Sequence, residues 1–272
     1  MDVNEKSSGG NYVAPKSKYE KDDLKFCPVS VENFFDNPDK IVRYAKSLPK
    51  EPDPEGKWPG KRTEQLWKID EDLTAALMLK ILSCYYDLTY QSISWERCGM
   101  CFQEIPAPSK NKDDVRNKGW IHYDNNKPTE KDLYEVAGLI YLTPDIDPDS
   151  GTSLFTLKQR NDEEYKVHNK HFAKILLNKE GVFDEAYYTK KYKEHEEFFI
   201  EKTRFANIYN RLIMYDTNEF HRANNFYNDD EKDARLTLVF FIGGIEGTEF
   251  PLQRTKHYDS MIDDIIGKKL YI

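Results

Sequence analysis

Two histidines and one aspartate are the residues of this sequence whose types and spacing point most directly to chemistry. His122 and Asp124 stand two positions apart at the end of a predicted strand, so both side chains leave it on one face. Imidazole and carboxylate form the mixed ligand set that suits ferrous iron, and a third protein ligand would complete a facial triad. His221 is our candidate for that ligand. The pattern predicts a metal site formed by these three residues.

The His-x-Asp spacing also occurs by chance, so the surrounding sequence must identify the functional pair. His257 and Asp259 have the same spacing, but they follow the last clear strand, and neither a histidine nor a strand arginine comes after them. His195 begins a His-x-Glu match in a run with helical spacing, where positions two apart face different directions. We therefore assign the site to the pair at 122 and 124.

A possible carboxylate site follows the third ligand. Arg235 begins an apolar run that is typical of a strand, and arginine can pair with a carboxylate through two hydrogen bonds. Thr237, two residues on, presents its hydroxyl on the same face. Together they suit the distal carboxylate of 2-oxoglutarate. The alternative role for Arg235 is to pair with an acidic residue at the surface.

Two helices are predicted ahead of the sheet that must position these side chains. Asn37 is a suitable N-cap and Pro38 suits the first helical position, so the first helix begins there and ends at Pro49. A second helix begins at Asp70, and its apolar stripe continues to Leu88.

After these helices the sequence changes to short apolar runs separated by turns, which is an antiparallel β pattern. The predicted strands are 92–105, 119–123, 135–142, 152–157, 204–216 and 235–242. Alternation along the third of them places Tyr141 and Thr143 on the face that would meet a cosubstrate.

Charged and aromatic residues at roughly helical spacing interrupt this pattern and predict a helical insertion at 158–203. We expect a flexible arm at 1–25 and a single domain at 26–272. The expected parts of that domain are helical support at 26–90, a β core that contains the insertion at 91–245, and a C-terminal tail at 246–272.

The order His122-x-Asp124, His221, Arg235-x-Thr237 resembles the iron(II)/2-oxoglutarate-dependent oxygenase superfamily, in particular its prolyl-hydroxylase-like members. The resemblance covers roughly 31–242, and similar chains occur among phage and marine bacterial proteins. The other segments that carry it are 34–39, 59–62, 138–144, 151–155 and 209–216.

The resemblance implies an α+β, mainly antiparallel fold, a double-stranded β-helix or jelly roll with supporting N-terminal helices. It implies that His122, Asp124 and His221 bind Fe(II) and that Arg235 and Thr237 hold 2-oxoglutarate, with Tyr141 added from alternation. Dioxygen is then a cosubstrate, ascorbate an optional reductant, and the reaction a hydroxylation. The substrate and the oligomeric state cannot be read from the sequence.

The amino-acid composition limits the classes of partner that the protein is expected to bind. The formal net charge of −8 and the pI near 5.4 disfavour a protein that grips nucleic acid through a broad basic face. No run approaches the roughly 18 apolar residues that span a bilayer, and no apolar signal segment stands at the start. We expect a cytoplasmic protein of a bacterium or a phage-infected host that acts on a small molecule or a protein side chain.

Two other motifs have alternative interpretations. Cys98 and Cys101, with Cys27 and Cys84, suggest a zinc site, but residues three apart on a strand point to opposite faces, which disfavours it. Arg62 in the segment Pro-Gly-Lys-Arg either reaches toward the site or shapes a loop.

Two other functions fit the same strands. One is a non-catalytic jelly-roll module, such as a virion component. The other is a cupin-type metal enzyme without 2-oxoglutarate, which predicts that Arg235 points away from the metal.

Overall fold

The computed structural model describes residues 26–55, 58–90, 92–124, 135–158, 185–227, 234–247 and 259–270. These residues form two antiparallel sheets and a set of helices, so the mixed α+β class predicted from the sequence is confirmed. The expected arm at 1–25 and much of the expected insertion lie outside the described residues.

The first helices begin at the capping residues that the sequence predicts. The side chain of Asn37 accepts a hydrogen bond from the Lys40 amide, 3.2 Å away, and α1 (Pro38–Ser47) follows. After the short α2 (Leu66–Ile69), Asp70 caps α3 (Glu71–Leu82) in the same way. This helix ends before the predicted Leu88.

The early end of α3 has a packing reason. Beyond it the chain turns so that Tyr85 and Tyr86 pack against the ring of Phe26, and the Tyr85 hydroxyl donates to the Cys27 carbonyl oxygen at 2.6 Å. These contacts fix the chain that follows α3 against Phe26 and Cys27.

The larger sheet has seven strands in the order β1-β8-β5-β10-β4-β3-β2, and each pair is antiparallel. Its strands are β1 (Val29–Val31), β2 (Glu51–Pro52), β3 (Lys61–Arg62), β4 (Arg97–Ile105), β5 (Val136–Tyr141), β8 (Leu212–Asp216) and β10 (Arg235–Gly243). The smaller sheet contains β6 (Thr152–Leu157), β7 (Phe199–Phe205) and β9 (Phe220–Ala223) in the order β7-β6-β9.

The two faces of the larger sheet differ in chemistry because side chains alternate along each strand. On β10, Leu236, Leu238 and Phe240 join the main apolar core, which also contains Met78 and Ile81 of α3. The alternate positions of β10, which begin with Arg235 and Thr237, point to the opposite face of the sheet. We call these two residues the polar row. The helices therefore cover one face and leave the polar row on the opposite one.

The smaller sheet packs against that opposite face. Leu154 of β6 belongs to an apolar cluster with Tyr141 and Ile213 of the larger sheet. The Tyr141 hydroxyl also donates to Thr152 Oγ1 at 2.8 Å. The polar row thus lies between the two sheets.

Two predicted elements were wrong. The predicted strand 204–216 is broken, because Asn210 has a φ of 63° and exchanges side-chain hydrogen bonds with Phe35 of 2.9 and 2.8 Å. The end of the predicted insertion forms β7, with Phe199 buried against Phe155 and Phe220. The charged outward side chains of β7 hid its strand pattern.

The remaining helices are α4 (Glu185–Glu196), in the second half of the expected insertion, and α5 (Asp259–Leu270), in the expected tail. The predicted strand 119–123 is reduced to a single bridge at His122. Each helix in the described ranges is too short or too polar to cross a membrane.

Candidate metal centre

The two candidate histidines are brought together by backbone pairing. His122 and His221 form an isolated antiparallel bridge, in which the His122 amide donates to the His221 carbonyl oxygen at 3.1 Å and the reverse bond is 2.8 Å. Directly opposite residues project to the same face, and the two ring centroids are 4.5 Å apart. A short backbone contact therefore joins side chains that are far apart in the sequence.

Asp124 completes the cluster. Its amide donates to the Thr217 carbonyl oxygen at 3.1 Å, which fixes the chain just after the bridge. Its carboxylate oxygens lie 3.8 Å from His122 Nε2 and 3.6 Å from His221 Nε2, which is too far for hydrogen bonds. One ligand atom from each residue falls within 4.8 Å of the others, and this is the one such group among the described residues.

Both imidazoles are oriented by the backbone. His122 Nδ1 lies 2.9 Å from the Trp120 carbonyl oxygen, and His221 Nδ1 lies 3.0 Å from that of Glu219. A carbonyl oxygen only accepts, so each Nδ1 carries a proton and each Nε2 is the ring atom that faces Asp124. This second-sphere arrangement is the usual one for metal-binding histidines.

The electrostatics favour neutral imidazole. Burial lowers the pKa of His122 to about 4, and the neighbouring His221 acts in the same direction while Asp124 opposes them. The His122 imidazole is therefore neutral at pH 7. In addition, Asp124 Oδ2 is buried without a hydrogen-bond partner in the described part of the chain. An anionic oxygen in that position fits a cation, so the donor set suits the predicted metal.

Arg235 and Thr237 are buried on the neighbouring strand with unpaired polar atoms. Arg235 is 3% exposed and Thr237 is 1% exposed. Arg235 Nε and Nη2 and Thr237 Oγ1 have no hydrogen-bond partner among the described residues. Buried donors without acceptors are costly and rare in folded proteins. Their grouping fits a ligand that brings acceptor oxygens, such as a carboxylate.

Two aromatic rings flank the Arg235 guanidinium. Its central carbon lies 5.3 Å from the ring centroid of Tyr141 and 5.7 Å from that of Phe226. The Tyr141 hydroxyl is already bonded to Thr152, and Thr143 Oγ1 accepts the Leu236 amide at 2.7 Å. Tyr141 thus lies at the Arg235 site, whereas Thr143 fixes the beginning of β10.

Tyr215 of β8 connects the metal cluster with the arginine. Its ring centroid is 4.8 Å from that of His221. Burial raises its pKa well above the usual value, and the charges of Asp124 and Arg235 both act on it. The three metal-ligand candidates and the buried guanidinium therefore border the same region between the sheets.

The competing histidine and cysteine motifs have structural explanations. His195 is fully buried, and its Nε2 lies 2.8 Å from the Ile121 carbonyl oxygen, so it braces the segment that carries His122. Cys98 Sγ lies 3.4 Å from Met78 Sδ in the helix-covered core, whereas Cys101 is on the other face. Burial raises the pKa of Cys98 to about 11, which favours an inert thiol over a zinc ligand. His257 lies outside the described residues.

Sequence patterns did not identify the groups that orient the ligands, and they left two roles open for Arg62. The orienting groups are backbone carbonyls, which leave no signal in residue type. Arg62 and Gln103 lie in register with Thr237 across the sheet, and only strand pairing reveals this.

The sequence has no significant match among curated proteins. Among solved structures, the chain is similar to a prolyl-4-hydroxylase from Pseudomonas putida at 13% identity, with 82% of this chain and 95% of that chain covered and a TM-score of 0.43. HygX from Streptomyces hygroscopicus, with nickel and 2-oxoglutarate bound, is 12% identical over 81% of this chain and 84% of its own, with a TM-score of 0.44.

An oxidoreductase of the 2OG-Fe(II) oxygenase family from Burkholderia pseudomallei is 12% identical over 82% of this chain and 85% of its own, with a TM-score of 0.40. Because these TM-scores are low, the function must be argued from this chain's own residues. A family model matches residues 25–242, a span that contains every candidate ligand, and the chain belongs to that family of unknown function, DUF6445.

Proposed function

We propose that the protein is an iron(II)- and 2-oxoglutarate-dependent dioxygenase that hydroxylates its substrate. The observation that carries the proposal is the combination of two oriented imidazoles and a carboxylate with a buried arginine, two of whose N–H groups lack a hydrogen-bond partner among the described residues, in the same region between the two sheets. A metal cluster alone would fit many hydrolases and cupins. The guanidinium beside it favours a cosubstrate with a carboxylate, and a cupin-type enzyme without 2-oxoglutarate does not require one.

Each residue then has a defined task. His122, Asp124 and His221 would hold the metal on one side and leave its other positions open. Arg235 and Thr237 would bind the distal carboxylate of 2-oxoglutarate through charge-assisted hydrogen bonds, while the Tyr141 and Phe226 rings flank the guanidinium. Bound iron, 2-oxoglutarate and dioxygen together supply an oxidation that hydroxylates a substrate carbon and converts 2-oxoglutarate to succinate and carbon dioxide.

We also propose that the two sheets are the halves of a double-stranded β-helix. Two features support this fold: the packing of Leu154 and Thr152 against Tyr141, and the position of the candidate site between the sheets. The substrate would enter from the side of the metal that the protein ligands leave open.

Succinate formation tests the proposed function. Purified protein with Fe(II), 2-oxoglutarate, ascorbate and dioxygen should form succinate slowly without a substrate, because these enzymes turn over uncoupled. His122→Ala should reduce the rate at least a hundredfold. His257→Ala is the matched control, because it removes the histidine of the other His-x-Asp match and should leave the rate unchanged.

Two results would refute the proposal. One is an absence of succinate together with an absence of Fe(II) binding by calorimetry, which would favour a non-catalytic module. The other is equal loss of activity in both variants, which would show that the 122 position has no special role.

A further inference from the structure

A second group of unpaired donors lies beside the candidate centre, on the turn at 58–60 and the strand β3 that follows it. Register across the larger sheet pairs Arg62 with Gln103, Gln103 with Thr237, and Thr237 with Tyr141. Directly opposite residues share a face, so this row continues the polar face that carries the Arg235 site. Two strand spacings, roughly 9–10 Å, separate the backbone of Arg62 from that of Thr237. Arg62 is therefore a neighbour of the proposed cosubstrate site.

The Arg62 side chain is held in a fixed orientation. Its Nη2 donates to Gln103 Oε1 at 3.2 Å, and Gln103 Nε2 in turn donates to the Pro59 carbonyl oxygen at 2.8 Å. Its central carbon lies 4.5 Å from the centroid of the Trp58 ring. A stacked and hydrogen-bonded guanidinium loses little entropy when it binds a planar anion.

The turn itself is fitted to β4. Gly60 has a φ of 72°, and a Cβ there would lie 2.1 Å from the Glu104 carbonyl oxygen. Only glycine allows this approach, which brings Trp58 and Arg62 against the sheet. The donors are thus positioned before any ligand arrives.

These groups offer donors without acceptors. Arg62 Nε and Trp58 Nε1 are buried and have no hydrogen-bond partner in the described part of the chain. Within the same residues Arg62 forms no ion pair; burial lowers the pKa of its guanidinium, and the charges of Asp124 and Asp53 oppose this. If Arg62 only shaped the loop, its contacts with Gln103 and Trp58 would be sufficient. The two remaining donors require an acceptor that the described residues do not supply.

We propose that Arg62, with the indole N–H of Trp58, binds an anionic oxygen group of the substrate, a carboxylate, next to the metal. The inference rests on the proposed function for the identity of the neighbouring site. It adds the substrate class: an organic acid whose carboxylate is bound at Arg62 while a nearby carbon faces the metal. In this arrangement Arg235 binds the carboxylate of 2-oxoglutarate and Arg62 binds the carboxylate of the substrate, so the two acids occupy different sites.

The indole signal of Trp58 provides a direct test that needs neither turnover nor the true substrate. The protein is labelled with ¹⁵N, loaded with Zn(II) as a redox-inert stand-in for iron, and saturated with 2-oxoglutarate. Trp58→Phe assigns the indole resonance. Acetate is then titrated at constant ionic strength, with acetamide as its uncharged counterpart.

Acetate should shift the Trp58 indole resonance in a saturable way, whereas acetamide should not. Arg62→Gln should weaken the acetate effect at least tenfold, and Arg62→Lys should restore part of it because it keeps the charge but lacks the Nε donor. Arg97→Gln is the control for general loss of positive charge, because Arg97 pairs with Glu96 at the start of β4. The other indole resonances report whether each variant is folded.

Three results would overturn the proposal. The first is no saturable shift with acetate, and the second is an unchanged shift in Arg62→Gln. The third is a Trp58 shift caused by 2-oxoglutarate alone and competed by acetate, which would place Arg62 in the cosubstrate site. If succinate formation fails while the acetate effect holds, the anion site survives and only the proposed oxygenase function is lost.

Discussion

The candidate ligands owe their chemical state to their immediate surroundings. Each histidine bonds through Nδ1 to a carbonyl oxygen two residues earlier, Trp120 for His122 and Glu219 for His221. The spacing that predicts the ligands is visible in the sequence. The tautomer is not, because it depends on backbone geometry that only the bridge between the two segments creates.

A proton titration tests this state at His122. In the metal-free protein its pKa should be about 4, with the proton of the neutral ring on Nδ1, whereas a histidine in an unfolded chain titrates near 6.5. Between these values the unfolded state binds more protons, so this residue destabilises the protein as the pH falls from about 6.5 to 4. Imidazole NMR of selectively labelled protein measures both the midpoint and the tautomer. A midpoint near 6.5, or a proton on Nε2, would contradict the geometry.

Arg235 allows a prediction in which stability and ligand binding change in opposite directions. Removing a buried guanidinium whose Nε and Nη2 have no hydrogen-bond partner among the described residues relieves a desolvation cost, so Arg235→Met should keep or raise the stability of the ligand-free protein, by up to about 1–3 kcal/mol. The same change should abolish stabilisation by 2-oxoglutarate. Thermal unfolding with and without Fe(II) and 2-oxoglutarate measures both effects.

Arg222 is the matched control for that variant. It is also buried, at 9% exposure, but its guanidinium contacts Glu196 and the Tyr192 hydroxyl. Arg222→Met should therefore destabilise the ligand-free protein, because it removes the ion pair with Glu196 and the hydrogen bond to Tyr192. If both variants lose similar stability, Arg235 has partners that the geometry does not reveal.

Among the helices and strands, those whose ends are set by local signals were predicted correctly, and those whose ends are set by tertiary contacts were not. The beginnings of α1 and α3 were predictable because Asn37 and Asp70 cap amides within three residues. The break between β7 and β8 was not, because Asn210 is held by Phe35, which is far away in the sequence. A pattern of apolar residues continues through such a turn and suggests one strand.

Substitution of Asn210 tests the importance of this turn. Asn210→Ala removes two hydrogen bonds to the Phe35 backbone and leaves a non-glycine residue at a φ of 63°. We expect a loss of about 2–4 kcal/mol in the free energy of unfolding. Asn33→Ala is the control, because Asn33 also has a positive φ, of 52°, but is exposed. Chemical denaturation compares them, and equal losses would show that backbone strain, rather than the contact with Phe35, dominates.

At the scale of the whole molecule, the arrangement of the sheets could not be derived from the sequence. β10 lies between β4 and β5, and β1 pairs with β8 across most of the chain. Strand patterns give the α+β class and the order of the ligands, but they do not show which strands are neighbours. Arg62 illustrates the consequence: its motif was visible, and its place beside Gln103 and Thr237 emerged only from this pairing.

In the same arrangement, the two sides of the larger sheet have different roles. Helices α1 and α3 cover the apolar side, and the smaller sheet faces the polar side with the candidate centre. A metal and a diacid that bind there would contact strands of both sheets. Binding of the two should therefore be coupled, because both occupy the region bordered by Tyr215.

Anaerobic calorimetry measures that coupling and tests whether the candidate ligands and Arg235 form one site for a metal and 2-oxoglutarate. We expect one Fe(II) per chain, at least tenfold tighter binding of 2-oxoglutarate in its presence, and loss of both in Asp124→Ala. Binding of 2-oxoglutarate that is independent of Fe(II), or Fe(II) binding that survives Asp124→Ala unchanged, would contradict it.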